Sequence, residues 1–177
     1  MNLADKVKSI VRDVKDFPKP GILFKDITPL LSKPDLVKEI TVDIARHFKD
    51  QKIDAIAAVE ARGFIFGSIL AQELQCAFIP MRKSGKLPYQ TLKQEYALEY
   101  GTAAVEVHVD GIQPGWNVLV HDDLLATGGT AGAAANLIKK LGGTIAGFSF
   151  LINLSFLPGE EKLYKDFGIK PQYLVSY

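Results

Sequence analysis

The sequence predicts an α/β protein with a doubly wound, mostly parallel sheet and helices on both faces. Short apolar runs typical of buried strands alternate with segments whose apolar residues recur every three or four positions, as they do in helices. This alternation indicates βαβ units, in which each helix covers one face of the sheet. With 177 residues and no repeat or low-complexity linker, the chain is expected to form a single domain over residues 1–177.

The N-terminal half supplies the first elements. Apolar residues at helical spacing predict a helix over 3–14, which the FPKPG stretch at 17–21 brings to an end. A second helix is predicted over 34–49. The apolar run at 53–59 predicts a buried strand, and residues 64–74 predict the helix that follows it.

The pattern then repeats, with buried strands predicted at 76–81, 117–123 and 144–154. A helix with Ala134, Leu137, Ile138 and Leu141 on one face lies between the last two strands. Residues 82–104 are polar and too long for an ordinary connection, which is typical of a functional loop. The alternating residues 105–109 predict an antiparallel strand after it.

Composition excludes several classes of protein. Apolar residues make up 47% of the chain, charged residues 23%, and the net charge is +1, so neither disorder nor a nucleic-acid or membrane partner is expected. The N-terminal residues lack the apolar core of a signal peptide, and the single cysteine allows no intrachain disulfide. A cytoplasmic location is therefore expected.

The stretch VHDDLLATGGTAGA, residues 120–133, combines two features that favour opposite kinds of ligand. Two glycines flanked by threonines indicate a loop that holds a phosphate, although such a turn is a helix N-cap at least as often. It is neither a Walker loop nor a GxGxxG fingerprint. Asp122 and Asp123, just upstream, would repel a bare anion but would accept hydrogen bonds from a vicinal diol.

A second junction, VEARGF at 59–64, places Arg62 at a predicted helix start, where free N–H groups and the helix dipole favour anions. The alternative is a surface ion pair between Arg62 and Glu60. In open α/β sheets ligands bind beyond the carboxyl ends of the strands, where both junctions are predicted to lie. A ligand with a phosphate, a diol and a second anionic group fits both, and phosphoribosyl pyrophosphate has that shape.

Residues 118–130, VLVHDDLLATGGT, resemble the signature of type I phosphoribosyltransferases. Further segments resemble the adenine-specific branch of that family and run in its order along nearly the whole chain: FPKPGILFKDITPLL, EARGFIFG, RKSGKLP, EYALEYG and KKLGG. The resemblance implies the type I fold with a small hood and adenine pocket over 1–33 and a flexible catalytic loop over 82–104. It implies transfer of the phosphoribosyl group to adenine, giving AMP and pyrophosphate, with Mg²⁺ as cofactor held mainly by the substrate and not directly by the protein.

The resemblance also implies a role for each matching residue. The catalytic set is Glu99, Asp122 and Asp123, in which Glu99 handles the purine proton and the aspartates bind the ribose hydroxyls. The 5′-phosphate is assigned to Ala126, Thr127, Gly128, Gly129 and Thr130. Pyrophosphate is assigned to Arg62, Arg82, Lys83 and Lys86, and adenine to Leu23, Phe24 and Lys25. Tyr100 belongs to the loop that closes over the site, and the family implies a homodimer.

Three departures from the family pattern and two alternatives remain. His121 stands where an aliphatic residue is usual and is expected to pack as a strand side chain. Lys25 replaces an arginine, which leaves a side-chain role open, and Ala131 and Gly132 should soften the helix start. The alternatives are a regulator that senses phosphoribosyl pyrophosphate and a transferase for another purine.

Overall fold

The structure, a computed structural model, describes residues 1–98 and 101–177. Glu99 and Tyr100 therefore lie outside the described residues, and their predicted roles stay predictions. The helices are α1 (Leu3–Ile10), α2 (Thr28–Leu31), α3 (Pro34–Arg46), α4 (Gly63–Glu73), α5 (Gly129–Lys140) and α6 (Gly159–Phe167). The strands are β1 (Arg12–Lys15), β2 (Leu23–Asp26), β3 (Ala55–Val59), β4 (Ala77–Lys83), β5 (Thr91–Ala97), β6 (Thr102–His108), β7 (Asn117–Leu125), β8 (Thr144–Asn153) and β9 (Gln172–Ser176).

A seven-stranded sheet with the strand order β5-β6-β4-β3-β7-β8-β9 forms the centre of the molecule. The strands from β4 to β9 in that order pair in parallel, whereas β6 pairs antiparallel with both β4 and β5. The predicted class, a mostly parallel sheet with an antiparallel strand near residue 105, is confirmed.

The core lies on both faces of this sheet because consecutive side chains of a strand point to opposite sides. All five residues of β3 are buried; Ala55, Ala57 and Val59 join the core under α5 and α6, and Ile56 and Ala58 join the core under α1, α3 and α4. This double burial explains why β3 reads as a continuous apolar run. No helix among the described residues combines the length and the hydropathy that crossing a bilayer requires.

A separate two-stranded antiparallel sheet, β1 with β2, forms the region expected to be the hood. The predicted helix over 3–14 was wrong in its second half, because α1 ends at Ile10 and Arg12 begins a strand opposite Asp26. Val14 faces Phe24 in this ladder. The pairing with β2 therefore overrides the helical spacing of the apolar residues.

The expectation of a loop over 82–104 was also wrong where the described residues form strands. Thr91–Ala97 forms β5, which pairs along its whole length with β6 as an antiparallel hairpin. Its side chains alternate between half-buried and exposed, but the polar composition hides this period. The C-terminal α6 and β9 were not predicted.

Candidate active site

The loop after β7 has the geometry of an anion cradle. Gly128 begins α5 with a left-handed backbone (φ 78°) and no side-chain cap, and its carbonyl accepts the N–H of Gly132 at 2.9 Å. The N–H groups of the first turn have no partner within the helix and converge on the loop. A cavity of about 70 Å³ lies there. Its lining includes all five residues expected to hold a phosphate, together with Asp122: Ala126, Thr127, Gly128, Gly129 and Thr130.

The two aspartates end up in different surroundings, as expected for neighbours on a strand. Asp122 lines the cradle and accepts the N–H of Asp123 at 2.8 Å. It also packs against the start of α4, because a Cβ on Gly63 would lie 2.8 Å from Asp122 Oδ1 and 3.1 Å from its Cα, so a side chain there would displace the carboxylate. Asp123 is buried on the other face, with its Oδ2 3.0 Å from Nε of Arg62.

The Arg62–Asp123 pair is an ion pair without a well-aimed hydrogen bond. Within residues 1–98 and 101–177, Oδ2 of Asp123 has no hydrogen-bond partner although it is buried. Buried acceptors are normally paired, so an unpaired one marks a place for a donor from outside the chain. A ribose hydroxyl is such a donor.

Burial raises the pKa of both aspartates. For Asp122 the pKa lies well above the ordinary carboxyl value, first because of burial and second because of the charge of Asp123. For Asp123 burial raises the pKa and the Arg62 guanidinium opposes the rise. Two adjacent buried carboxylates favour a ligand that brings hydroxyl donors or a positively charged centre.

Arg62 connects the two junctions and the hood. It precedes α4 at the carboxyl end of β3, beside β7 in the sheet. Besides the contact with Asp123, Nη1 lies 3.5 Å from the carbonyl oxygen of Lys25, and the guanidinium carbon lies 4.6 Å from the centre of the Phe24 ring. The alternative of an Arg62–Glu60 pair is wrong, since Glu60 binds Nε of Arg82 at 3.0 Å.

The other basic residues predicted to bind an anion lie on and after β4. Arg82 also donates from Nη1 to the carbonyl of Lys86 at 3.0 Å. The side chains of Lys83 and Lys86 are exposed, and their backbone N–H groups donate to Glu60 and Glu106. The hairpin lies directly over the cradle, because a Cβ on Gly129 would be 3.2 Å from Cδ2 of Tyr96.

The expected adenine-binding residues form β2, on the Arg62 side of the site. Leu23 is exposed, and Phe24 packs edge to face against Phe17 with ring centres 5.0 Å apart. The Lys25 side chain turns away from the site and is buried, with Nζ 2.7 Å from Asp13 Oδ1 and 3.8 Å from the centre of the Tyr177 ring. Only main-chain atoms of Lys25 face Arg62.

The buried carboxylate of Glu106 was not predicted from the sequence. It accepts hydrogen bonds from the N–H groups of Lys86 and Leu87, both at 3.1 Å, and from the Thr91 hydroxyl at 3.3 Å. The sequence did contain a signal for this residue, because a glutamate stands inside the alternating stretch 105–109 that predicts a strand. Asp13 and Tyr177 gave none, because their contacts join distant parts of the chain.

His121, as expected, packs as a strand side chain and not as part of the site. It is fully buried, its Nδ1 lies 3.2 Å from the Ser149 hydroxyl, and burial lowers its pKa to about 4. In the part of the chain that the structure describes, no three His, Cys, Asp or Glu side chains are grouped to hold a metal ion. Asp122 and Asp123 point to opposite faces of β7, so they do not form a joint ligand pair for Mg²⁺, and the ion is expected to be held mainly by the oxygens of the substrate.

Comparison with known proteins agrees with this geometry. Residues 26–170 match the family described as phosphoribosyl transferase domain. Adenine phosphoribosyltransferase of Cytophaga hutchinsonii is 54% identical over 99% of this chain and 96% of its own length. The crystal structure of the enzyme of that name from Thermoanaerobacter pseudethanolicus superposes with a TM-score of 0.95 at 45% identity, covering 99% of this chain and 100% of its own.

The Saccharomyces cerevisiae adenine phosphoribosyltransferase, solved in complex with adenine and an imino-altritol bisphosphate, is 36% identical with a TM-score of 0.89, over 97% of this chain and 98% of its own. Membership of one family therefore accounts for the anion cradle, for the Asp122–Asp123 pair and for the fold. The chain belongs to the adenine phosphoribosyltransferase family.

Proposed function

We infer that this chain transfers the phosphoribosyl group of phosphoribosyl pyrophosphate to adenine, giving AMP and pyrophosphate, and thereby salvages adenine. Among the observations made on the molecule itself, one carries most weight. An anion cradle at the start of α5 is lined by Asp122, and the next residue, Asp123, forms a buried ion pair with Arg62 in which its Oδ2 accepts no hydrogen bond from the described residues. A phosphate, a sugar diol and a second anion are the groups that this arrangement suits.

Each part of the substrate has a proposed binding group. The cradle binds the 5′-phosphate through the first-turn N–H groups and the hydroxyls of Thr127 and Thr130. Asp122 and Asp123 accept the ribose hydroxyls. The pyrophosphate is bound by four basic residues, one before α4 and three on or just after β4: Arg62, Arg82, Lys83 and Lys86.

Adenine is proposed to bind against β2. Phe24 offers a ring for stacking, Leu23 an apolar wall, and the main chain of Lys25 hydrogen-bonding groups for the purine edge. The guanidinium of Arg62 now covers the Phe24 ring at 4.6 Å. Its movement towards the pyrophosphate would free that ring for the base.

The reaction breaks the bond between the anomeric carbon and a pyrophosphate oxygen, and a purine nitrogen forms the new bond to that carbon. Positive charge develops on the ribose ring, and carboxylates at its hydroxyls stabilise this charge. Arg62 and the basic residues on and after β4 take up the negative charge of the leaving group. We propose that Glu99 accepts the purine proton, a step of this kind contributing roughly 10²–10⁴-fold, and that Tyr100 belongs to the segment that excludes water.

Mg²⁺ is the proposed cofactor. When bound, mainly by oxygens of the substrate, it would neutralise negative charge on the pyrophosphate. On the protein side, Asp122 and Asp123 orient the ribose hydroxyls and so position the substrate oxygens that hold the ion. We further propose a homodimer in the cytoplasm, with one domain per chain that includes the hood over 1–33 and the segment 82–104, which contains β5 and the start of β6.

The test is product formation from purified protein with Mg²⁺ and phosphoribosyl pyrophosphate, offering adenine, hypoxanthine, guanine and xanthine separately. AMP from adenine, with little or no nucleotide from the other bases, is the expected result. Nucleotide from another base alone would reassign the substrate. Tight binding of phosphoribosyl pyrophosphate without any nucleotide would overturn the enzymatic function and favour a sensor.

A further inference from the structure

The hood that carries the proposed adenine pocket is a small element. β1 and β2 form a sheet of two strands with four paired positions, separate from the seven-stranded sheet. A two-stranded hairpin is at best marginally stable alone, so its position depends on side chains that reach other elements. Lys25, in the middle of β2, is such a residue.

The two ends of Lys25 have different neighbours. Its carbonyl oxygen lies on the side of the site, 3.5 Å from Nη1 of Arg62. Its side chain is buried on the opposite side, where Nζ lies 2.7 Å from Asp13 Oδ1 and 3.8 Å from the centre of the Tyr177 ring. A lysine that loses water in this way needs both partners, since a buried ammonium without them is costly.

Tyr177 is itself fixed to the large sheet. Its N–H donates to the carbonyl of Asn153 at 3.0 Å, and its carbonyl accepts both the N–H and the hydroxyl of Ser155, at 2.9 and 2.7 Å. The phenol oxygen is buried and has no hydrogen-bond partner among the described residues. The ring face, and not the hydroxyl, is therefore the part of Tyr177 that acts on Lys25.

We propose that Tyr177 and Asp13 are positioning residues for base recognition, which hold the Lys25 side chain and thereby set the main chain of β2 at the purine edge. The proposal rests on the proposed function and deepens it, because it names residues outside the pocket that set the affinity for adenine. Asp13 fixes the ammonium within the hood, and Tyr177 connects it to the end of β9. Neither residue touches the substrate.

The test uses steady-state kinetics of the full chain with each substrate varied separately. Lys25→Met and Tyr177→Leu are expected to raise KM for adenine roughly tenfold, the size of a desolvated cation–π contact. KM for phosphoribosyl pyrophosphate should stay within roughly twofold, because the cradle lies on another element. Lys25→Arg and Tyr177→Phe retain the cation and the ring, respectively, and should recover most of the affinity for adenine.

Lys8→Met is the matched control. Lys8 Nζ lies over the same ring at 5.4 Å, but its backbone belongs to α1, so its loss should leave KM for adenine unchanged. Wild-type KM for adenine in Lys25→Met or Tyr177→Leu would overturn the proposal. So would equal increases in both KM values together with a lower Tm, which indicate a general structural role. Absence of AMP formation by the folded wild-type protein would instead contradict the proposed function.

Discussion

Among the residues of the site, Asp122 is the one whose negative charge the surroundings disfavour most. Burial, with the adjacent charge of Asp123, raises its pKa well above the ordinary value of 3.8. A carboxyl whose pKa is raised by folding binds its proton more tightly in the folded state. The folded state therefore loses stability as the pH rises from the ordinary pKa through the raised one, and the whole cost is present above that window.

Replacing Asp122 by Asn should consequently raise Tm at pH 7.5, by about 2–4 °C for each kcal/mol regained. The gain should shrink as the pH approaches 4, where the wild-type carboxyl is protonated as well. The amide can still accept the N–H of Asp123, but AMP formation should fall at least roughly tenfold because a charged acceptor for the ribose is lost. Thermal unfolding between pH 4 and 8 measures this, with exposed Asp50→Asn as the control; a gain that is independent of pH would contradict it.

The proposed role of Arg62 depends on the planar shape of its guanidinium. This one group contacts Asp123, the carbonyl of Lys25 and the ring of Phe24. A lysine carries the same charge but cannot make these planar contacts or bind a phosphate in two places. Arg62→Lys should raise KM for phosphoribosyl pyrophosphate roughly tenfold or more, the effect of one lost charged hydrogen bond. Initial rates with Arg46→Lys, at an exposed position, provide the comparison, and an unchanged KM would remove Arg62 from pyrophosphate binding.

At the scale of elements, the N-cap of α5 and its first turn each hold a glycine, and the two glycines have opposite requirements. Gly128 has φ 78°, and a Cβ there would lie 3.1 Å from the carbonyl oxygen of Gly159, whereas a Cβ on Gly132 would meet nothing closer than 3.7 Å. Gly128→Ala should lower the free energy of unfolding by about 1–2 kcal/mol and weaken phosphate binding. Gly132→Ala should raise it by about 1 kcal/mol, because alanine is the better helix former.

Urea unfolding gives both free energies, and protection by phosphoribosyl pyrophosphate against unfolding reports binding. The same sign for both variants would show that the backbone at Gly128 is not a constraint. Gly132→Ala tests in addition the expectation that Gly132 softens the start of the helix.

Glu106 is the internal support of the hairpin. Its carboxylate accepts two backbone N–H groups and one hydroxyl of the segment that carries Lys86. Glu106→Ala should cost about 2 kcal/mol or more of stability, the range for a hydrogen bond to a charged group, and should raise KM for phosphoribosyl pyrophosphate. Glu95→Ala, whose side chain is 70% exposed, is the matched control. Equal, small effects of both would contradict the role of Glu106.

The sequence predicted well those helices and strands in which burial sets the spacing of the apolar residues, either on one face of a helix or on both faces of the sheet. β3, α4, β7 and α5 are of this kind, and they carry the cradle, the acidic pair and Arg62. β1 and β5 escaped prediction because backbone pairing with a neighbour, and not the side-chain pattern, makes them strands. The sequence motif identified Asp123 and Arg62 as candidate site residues. It could not predict that they form an ion pair, or that Oδ2 of Asp123 has no hydrogen-bond partner among the described residues, because both facts depend on contacts between elements far apart in sequence.

At the scale of the whole molecule, the stability of the fold should depend on pH through His121, a residue of β7 whose ring packs against α4 near Gly67. Burial lowers its pKa to about 4 from the ordinary 6.5. Between these values the unfolded chain binds a proton that the folded chain does not, so stability is lost as the pH falls from 6.5 to 4. The loss is about 1.4 kcal/mol for each pH unit within the window, and Asp122 opposes it with the reverse sign.

His121→Val should therefore flatten the fall of the unfolding free energy between pH 6.5 and 4, and Asp122→Asn should steepen it. His47→Val, at an exposed position, should show the same change of unfolding free energy with pH as the wild type. Urea unfolding at half-unit intervals of pH measures all four proteins under the same conditions. If His121→Val keeps the wild-type slope, the imidazole must bind its proton inside the folded protein. The loss of stability in acid would then have to come from carboxylates that lose their hydrogen bonds when protonated. Asp26 and Glu60 are such carboxylates, because the fold lowers their pKa values.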